Sequence, residues 1–204
     1  MHSGILTTGL GCTGVGLGVV ITWVQLRRAR TVSTDGISLS TWALFVYMSI
    51  FWILYGWTLR SPIVTSGSLF VLPLQILIIA KLEPHRHLGT LLKTGAFIFT
   101  LSFLPVILWG WKAGCYGTAI VMVLNRLPQI VELIRSADVD GVSVGSWSIG
   151  VVACAAWLSY YVGEKLWPPF LATLLALLGN LAIVILASWR HRQHAVARAL
   201  EIVA

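Results

Sequence analysis

The chain has 204 residues, of which 57% are hydrophobic and 10% are charged, and its formal net charge at pH 7 is +7. Soluble domains carry roughly 25% charged residues, so this composition excludes an ordinary soluble domain and indicates a membrane protein. A charge of +7 would suggest a nucleic-acid partner for a soluble protein. In a membrane protein such charge orients the chain, and we expect no nucleic-acid partner.

Seven apolar segments, each close to the ~20 residues that a helix needs to cross a bilayer, follow one another along the chain. The connecting loops are short and leave no room for a soluble domain. The lipid bilayer is therefore the first expected partner. We predict an all-α membrane protein with seven transmembrane helices at residues 4–26, 38–58, 62–80, 94–111, 114–134, 144–163 and 168–189.

The basic residues are divided unequally between the two ends of these helices. Only Arg60, Lys112 and Lys165 lie on one side, whereas ten lie on the other. Because cytoplasmic loops are enriched in Lys and Arg, we predict an integral protein of the plasma membrane with its N-terminus outside and its C-terminus in the cytoplasm. The first segment lacks a basic leader and a cleavage site, so we do not expect a removed signal peptide. The ten residues on the cytoplasmic side are Arg27, Arg28, Arg30, Lys81, Arg86, Lys93, Arg135, Arg190, Arg192 and Arg198.

Two segments that lie 105 residues apart are similar. Residues 35–57 and 140–162 align without a gap, and both contain Asp-Gly-hydrophobic-Ser followed by Trp, Trp and Tyr at equal spacing. Four helices separate equivalent points, so both copies cross the membrane in the same direction, and the fourth helix has no counterpart. We predict a 3+1+3 arrangement of two parallel triple-helix bundles. The predicted units are bundle 1–82, linker helix 83–112, bundle 113–189 and basic cytoplasmic tail 190–204.

A proline lies inside the fifth predicted helix, where the sequence reads Asn-Arg-Leu-Pro-Gln-Ile. Pro128 removes a backbone donor and clashes with the preceding turn, which predicts a hinge or a static kink. Gln129 can satisfy the freed carbonyls or bond to a neighbouring helix. The first copy keeps the glutamine as Gln25 but has Val24 in place of the proline. If the proline is a hinge, the two halves flex unequally.

The segment NRLPQIVELIRSADVDGVS, together with DGISLSTW and FWILYG in the first copy, resembles the PQ-loop superfamily and, within it, the SWEET sugar-transporter family. The resemblance covers nearly the whole chain. It implies alternating access, in which two triple-helix bundles rock about prolines and expose a central cavity to each side in turn. It also implies that aromatic and asparagine side chains hold a sugar in that cavity.

The aromatic positions of such a cavity match Trp52 and Trp157. Both lie well inside their predicted helices, where a large ring needs lipid, core packing or a ligand. We predict that they stack on a sugar or a cation, with simple packing as the alternative. The other eight tryptophans lie near predicted helix ends and indicate an interfacial belt: Trp23, Trp42, Trp57, Trp109, Trp111, Trp147, Trp167 and Trp189.

The family's asparagines have no match in this sequence. The positions at the corresponding distance after Trp52 and Trp157 are Ser68 and Thr173. A second pair at the 105-residue offset, Gln75 and Asn180, lies one or two turns deeper. An unpaired amide in the bilayer core costs free energy, so symmetric amides either line a pore or clamp helices together. We predict all four as substrate-binding residues and expect a small-molecule substrate, either a sugar or an amino acid.

The charged residues bear on energy coupling. All seven acidic residues lie in loops or near predicted helix ends, whereas proton relays lie at mid-membrane; this favours facilitated diffusion by a uniporter. Asp35 and Asp140 nevertheless resemble acidic residues that couple protons in PQ-loop amino-acid exporters, with turn and capping chemistry as the alternative. Arg126 is the only charge well inside a predicted helix. It either snorkels to the cytoplasmic surface or gates the pore against Asp35, Asp138 or Asp140.

Other functional classes have little support in the sequence. The three cysteines lack metal-ligand spacing and suit packing, and the five histidines lie in the tail, one loop and the C-terminal segment. We therefore predict no enzyme activity, no catalytic residue, no metal and no cofactor. The alternatives to a uniporter are a proton-coupled amino-acid exporter and a non-transporting, receptor-like binder. A homo-oligomer stays open, although one chain holds both halves and can form a complete path.

Overall fold

The computed structural model describes residues 4–82, 87–136 and 139–203, and every regular element within them is helical. The all-α prediction is confirmed for these residues, whereas the predictions that involve Arg86 and Asp138 lie outside them. The elements are α1 (Ile5–Thr31), α2 (Leu39–Thr58), α3 (Pro62–Leu69), α4 (Leu72–Ile79), α5 (His87–Ile98), a π-helical turn (Phe99–Phe103), α6 (Leu104–Trp109), α7 (Trp111–Leu124), α8 (Leu127–Arg135), α9 (Val144–Gly163) and α10 (Trp167–Val203).

These elements group into seven segments, six of which are long and apolar enough to cross a membrane. The seventh is α9, whose 20 residues suffice in length but include glycines, serines and two tyrosines that lower its mean hydropathy. It packs along α1 and α10, so its less apolar surface is covered by protein. The chain is an integral membrane protein. The six apolar segments are Ile5–Thr31, Leu39–Thr58, Pro62–Ile79, Leu88–Trp109, Trp111–Arg135 and Trp167–Ala195.

Two helices are longer than the sequence indicates. The first helix continues to Thr31 rather than residue 26, and the last continues to Val203 rather than residue 189. Neither extension contains glycine or proline, and Arg28 and Arg30 in the last turn of α1 complement the negative end of the helix dipole. The predicted tail is therefore helical where the structure describes it.

Prolines interrupt two segments that the sequence indicates as single helices. The segment 62–80 breaks at Phe70–Val71 ahead of Pro73, and the segment 114–134 breaks at Asn125–Arg126 ahead of Pro128. In each case the proline ring clashes with the carbonyl four residues earlier. By contrast, α1 runs unbroken through Val24. The two copies therefore carry their breaks in different segments.

The segment between the two copies packs on α2 and α7. Pro105 has no N–H, so the carbonyl of Leu101 lacks its α-helical donor, and the chain forms the π-helical turn at this point. That carbonyl lies against Gly117 of α7, where an added Cβ would overlap the oxygen and lie 2.7 Å from the carbonyl carbon. A Cβ at Gly114 would lie 2.8 Å from the carbonyl oxygen of Ser102. The two backbones are in direct contact.

The same packing order occurs in both copies. In the first copy, α3 and α4 each contact α1 and α2, and in the second, α10 contacts α7, α8 and α9. Between the copies, α1 packs along α9 over an extensive surface, whereas α2 and α8 make a smaller contact. The third segment of each copy therefore holds the other two together, and the copies meet along α1 and α9.

We expect Gly117→Ala to destabilise the protein by about 1–3 kcal/mol, because the new methyl group meets backbone rather than a movable side chain. The measurement is thermal unfolding of the purified protein in detergent. Gly16→Ala is the matched control, since Gly16 has nothing within 4 Å of an added Cβ, and alanine is the better helix former. Equal unfolding temperatures for the two variants would contradict the close backbone contact.

Candidate functional site

Two buried glutamines join the copies at the end of the protein where α1 terminates. The Nε2 of Gln25 donates to the carbonyl of Gly141 (3.0 Å), and its Oε1 accepts from the N–H of Ser143 (3.2 Å). The side chain of Gln129 makes the same pair of hydrogen bonds to the turn of the first copy. Each glutamine is 1% exposed. We call the two contacts together the glutamine clamp.

The second half of the clamp is related to the first by the repeat. The Nε2 of Gln129, in α8, donates to the carbonyl of Gly36 (2.6 Å), and its Oε1 accepts from the N–H of Ser38 (3.1 Å). Each glutamine therefore satisfies one carbonyl and one N–H in the Asp-Gly turn of the opposite copy. Buried backbone groups require such partners, so the clamp stabilises both turns.

The sequence of the turns explains their shape. Gly36 has a φ of +74°, in the left-handed region that favours glycine. A Cβ at Gly141 would lie 2.8 Å from the carbonyl oxygen of Ser33, so the two turns are in backbone contact. Ser38 and Ser143 cap α2 and α9 by accepting from the N–H three residues on, at 3.3 and 3.0 Å. The serines, rather than the neighbouring aspartates, are the capping residues.

The aspartates have other partners in this region. The Oδ2 of Asp35 accepts from the hydroxyl of Ser33 at 2.5 Å. The Oδ1 of Asp140 lies 3.7 Å from the Nδ1 of His191, in α10, and the carbonyl of Asp140 accepts from the Nε of Arg28 at 2.5 Å. The carboxylate of Asp35 therefore bonds within its own turn, whereas the turn at Asp140 is held by residues of α1 and α10.

A central cavity lies beyond the clamp, toward the middle of the helices. It consists of a proximal chamber of about 190 Å³, nearer the clamp, and a distal chamber of about 180 Å³. The shared lining of the two chambers comprises Phe45, Gly67, Arg126, Cys154 and Trp157.

All six residues predicted to bind substrate line this cavity. The proximal chamber contains the amides Gln75 and Asn180, and the distal chamber contains Trp52, Ser68 and Thr173. The sixth residue, the tryptophan at position 157, lines both chambers. The 105-residue offset therefore brings residues from both copies to one place.

Sequence reasoning missed a further pair in the proximal chamber. Trp42 and Trp147 are 4% and 7% exposed and line the cavity, so their assignment to an interfacial belt was wrong. Their position near helix starts suggested lipid, but the turns before α2 and α9 lie inside the protein. The signal was present, because these tryptophans are themselves 105 residues apart. Trp111 is half-buried and packs against Phe51 and Tyr55. The other five belt tryptophans are exposed: Trp23, Trp57, Trp109, Trp167 and Trp189.

The symmetric amides both clamp helices and line the cavity. The hydroxyl of Ser49 donates to the Oε1 of Gln75 (2.8 Å), and the Nδ2 of Asn180 donates to the sulfur of Cys154 (3.5 Å). Ser49 and Cys154 are again 105 residues apart. Gln75 and Asn180 therefore both line the cavity and bond to a neighbouring helix, the two roles between which the sequence did not decide.

Arg126 is buried and lines both chambers, so the snorkelling prediction is wrong. Its Nε donates to the Oδ1 of Asn180 (3.1 Å), and its Nη1 donates to the Oδ1 of Asn125 (2.5 Å) and the carbonyl of Met122 (3.0 Å). Its guanidinium carbon lies 5.4 Å from the ring centroid of Phe45. These partners are neutral, and the salt bridge found among the described residues joins other groups. The expected pairing with Asp35 or Asp140 is not observed.

The ring of Trp157 is held by close packing. It stacks on Tyr161 with ring centroids 5.5 Å apart. Added Cβ atoms at Gly14 and Gly67, in α1 and α3, would lie 2.8 and 2.7 Å from its indole atoms. The Trp157 indole therefore packs against two glycines of the other copy, where a larger side chain would clash with it. Trp157 thus both packs against protein and lines the cavity.

The copies also meet at the opposite end of the cavity. The hydroxyls of Ser61, before α3, and Tyr160, in α9, lie 3.3 Å apart. A Cβ at Gly11 of α1 would lie 2.9 Å from the Tyr160 ring. Contacts between the copies therefore bracket the cavity at both ends.

No group of three or more His, Cys, Asp or Glu side chains with a metal-binding arrangement occurs in the described part of the chain. Comparison of the chain with protein-family models, curated proteins and solved structures found no match.

We expect Gln129→Met, which keeps the side-chain volume, to destabilise the protein by about 1–3 kcal/mol, because two buried backbone groups lose their partners. Gln25→Met should have a similar effect. Thermal unfolding in detergent measures both. Gln193→Met is the control, because Gln193 is exposed in α10. If all three variants unfold alike, the clamp does not stabilise the protein.

Proposed function

We propose that this chain is a PQ-loop-type transporter that moves a small polar solute, with a sugar as the first candidate, by alternating access and facilitated diffusion. The observation that carries the proposal is a central cavity lined by residue pairs from both copies and bounded by the glutamine clamp. Ligand sites between the repeats are the usual architecture of transporters with duplicated segments.

The proposed architecture is the 3+1+3 arrangement. Its support is the shared packing order of the copies and the position of the segment between them, in which α5 contacts α2 of one copy while the π-helical turn and α6 contact α7 of the other. In this arrangement α1–α4 form one bundle, α7–α10 form the other, and α5 and α6 belong to the linker. A single chain contains the whole cavity, so the proposed path needs no second subunit.

Alternating access requires the contacts at the two ends of the cavity to open in turn. The clamp contributes four hydrogen bonds, each worth about 0.5–1.5 kcal/mol net. The total of a few kcal/mol is typical of the free-energy difference between two conformations of one protein. In the open state, water replaces the partners of both glutamines. The break at Pro128 lets α8 move relative to α7, whereas the unbroken α1 moves as one rod.

We place the N-terminus outside and the C-terminus in the cytoplasm, in the plasma membrane. The clamp then faces the cytoplasm, because the basic ends of α1 and α10 lie at the same end as the clamp. Arg28 and His191 contact the turn at Asp140 there. The basic residues support this orientation through the positive-inside rule.

Transport is tested with purified protein in liposomes and a panel of monosaccharides, disaccharides and amino acids. We expect saturable uptake down a gradient that does not change when a pH gradient is imposed. Asp140→Asn should leave uptake independent of the pH gradient. Uptake that depends strictly on the pH gradient, and loses this dependence in Asp140→Asn, would favour the proton-coupled exporter. Binding without flux would favour the receptor-like alternative.

We expect Trp157→Ala to raise the half-saturation concentration for the solute by about three- to tenfold, because a stacking contact is worth about 0.5–1.5 kcal/mol beyond its buried area. Trp157→Phe should recover part of this loss. Concentration-dependent uptake in liposomes measures the effect. Trp189→Ala, at an exposed position of α10, serves as the control, and an equal change in that variant would exclude a specific role for Trp157.

A further inference from the structure

A single positive charge lies in the wall of the central cavity. Arg126 is contributed by the break between α7 and α8 and is shared by both chambers. Its stem lies against Gly179 in α10, where an added Cβ would be 2.8 Å from the arginine Cδ. The glycine therefore makes room for the arginine at the cavity wall.

The protein leaves this charge without a counter-charge. The Nε and Nη1 atoms bond to oxygens of Asn180, Asn125 and Met122, which are neutral. The third nitrogen, Nη2, has no hydrogen-bond partner among the described residues. Neither chamber is lined by Asp or Glu. A buried guanidinium that lacks a paired anion is strongly unfavourable, so a ligand that supplies the anion would be correspondingly stabilised.

Other polar atoms near the arginine add to an excess of donors. Trp42 lines the proximal chamber, and its buried indole N–H has no partner in the described part of the structure; the buried Nδ2 of Asn125, next to Arg126 in sequence, has none either, although Asn125 lines neither chamber. The carbonyl oxygens of Gln75 and Asn180 already accept hydrogen bonds. The surroundings therefore favour a ligand rich in acceptors and disfavour a cation.

We propose that the transported solute carries one anionic group, a carboxylate or a phosphate, that binds the guanidinium of Arg126. This inference rests on the transport function proposed above. The equivalent residue of the first copy, at the 104-residue offset that relates Gln25 to Gln129, is Thr22. The cavity therefore holds one arginine rather than a symmetric pair, which matches one acidic group per solute and sets the solute's orientation.

The first test compares matched ligands by their effect on the unfolding temperature of the wild-type protein in detergent. The probes are D-glucose, D-glucuronate, which has a carboxylate in place of the hydroxymethyl group, and glucose 6-phosphate. We expect at least one of the two anions to raise the unfolding temperature more than glucose does, and the stronger of them identifies the preferred group. If sulfate or chloride raises the unfolding temperature as much as both anionic sugars do, the inference is overturned, because Arg126 would then bind any small anion as a counter-ion.

The second test uses Arg126→Met and Arg126→Lys, with Lys112→Met as a control that removes a positive charge from the exposed surface of α7. We expect Arg126→Met to bind the preferred anion about ten- to a hundredfold more weakly, as loss of a charged hydrogen bond predicts, and Arg126→Lys to recover part of the affinity. In the ligand-free Arg126→Met protein, removal of the unpaired buried charge offsets the loss of the hydrogen bonds to Asn180, Asn125 and Met122, so the decisive reading is the discrimination between ligands. A purely structural arginine would leave the discrimination between glucose and the anions unchanged in both variants.

The third test measures flux in liposomes under an imposed membrane potential. A monovalent anion such as glucuronate, carried without a co-ion, accumulates on the positive side by roughly fiftyfold at 100 mV, and the more highly charged glucose 6-phosphate accumulates further, whereas a neutral solute is unaffected. If glucose and both anions are transported at equal rates that do not depend on the membrane potential, in the wild type and in Arg126→Met, the inference is overturned. The transport proposal would then still hold. If no member of the wider solute panel is transported, both proposals are wrong.

Discussion

The fold depends on how buried backbone groups of two turns find partners inside a membrane protein. The Asp-Gly turns before α2 and α9 each present a carbonyl and an N–H that helical bonding does not satisfy. Gln25 and Gln129 satisfy them from the opposite copy. Because a side-chain amide carries both an NH₂ donor and a carbonyl acceptor, one glutamine can bond to both the free carbonyl and the free N–H of a turn. Stability at this end therefore requires both copies to be in place, and the alternating access proposed above would require the same bonds to break.

The remaining polar residues follow the same constraint. Ser49 with Gln75, and Cys154 with Asn180, join the second and third segments within each copy. Together with the glutamine clamp, these pairs place polar atoms on both sides of the central cavity while leaving few of them without partners. Aromatic rings fill the space between, and Trp157 rests on glycines of the other copy. The cavity is thus surrounded by side chains whose positions are fixed by neighbours.

Much of this arrangement could be predicted from the sequence, because the repeat offset applies equally to every position. The pairing of Trp52 with Trp157 and of Gln75 with Asn180 came from that offset, and both pairs line the cavity. The burial of Trp42 and Trp147 could not be predicted from their positions near the starts of α2 and α9, because these two helix ends lie inside the protein and not at the lipid interface. Likewise, the direction in which Arg126 points depends on Gly179, which is 53 residues away in sequence. Long-range packing, rather than local pattern, decides such orientations.

The difference between Thr22 and Arg126 has a consequence for how such a cavity can be assembled. A homodimer made of the second copy alone would bring two guanidinium groups into one cavity, and their repulsion in a medium of low dielectric constant would be severe. A homodimer of the first copy would have none. In this chain, which carries both copies, Thr22 and Arg126 line the same chamber. The difference between the copies at this position therefore gives the cavity an electrical asymmetry that no symmetric assembly can have.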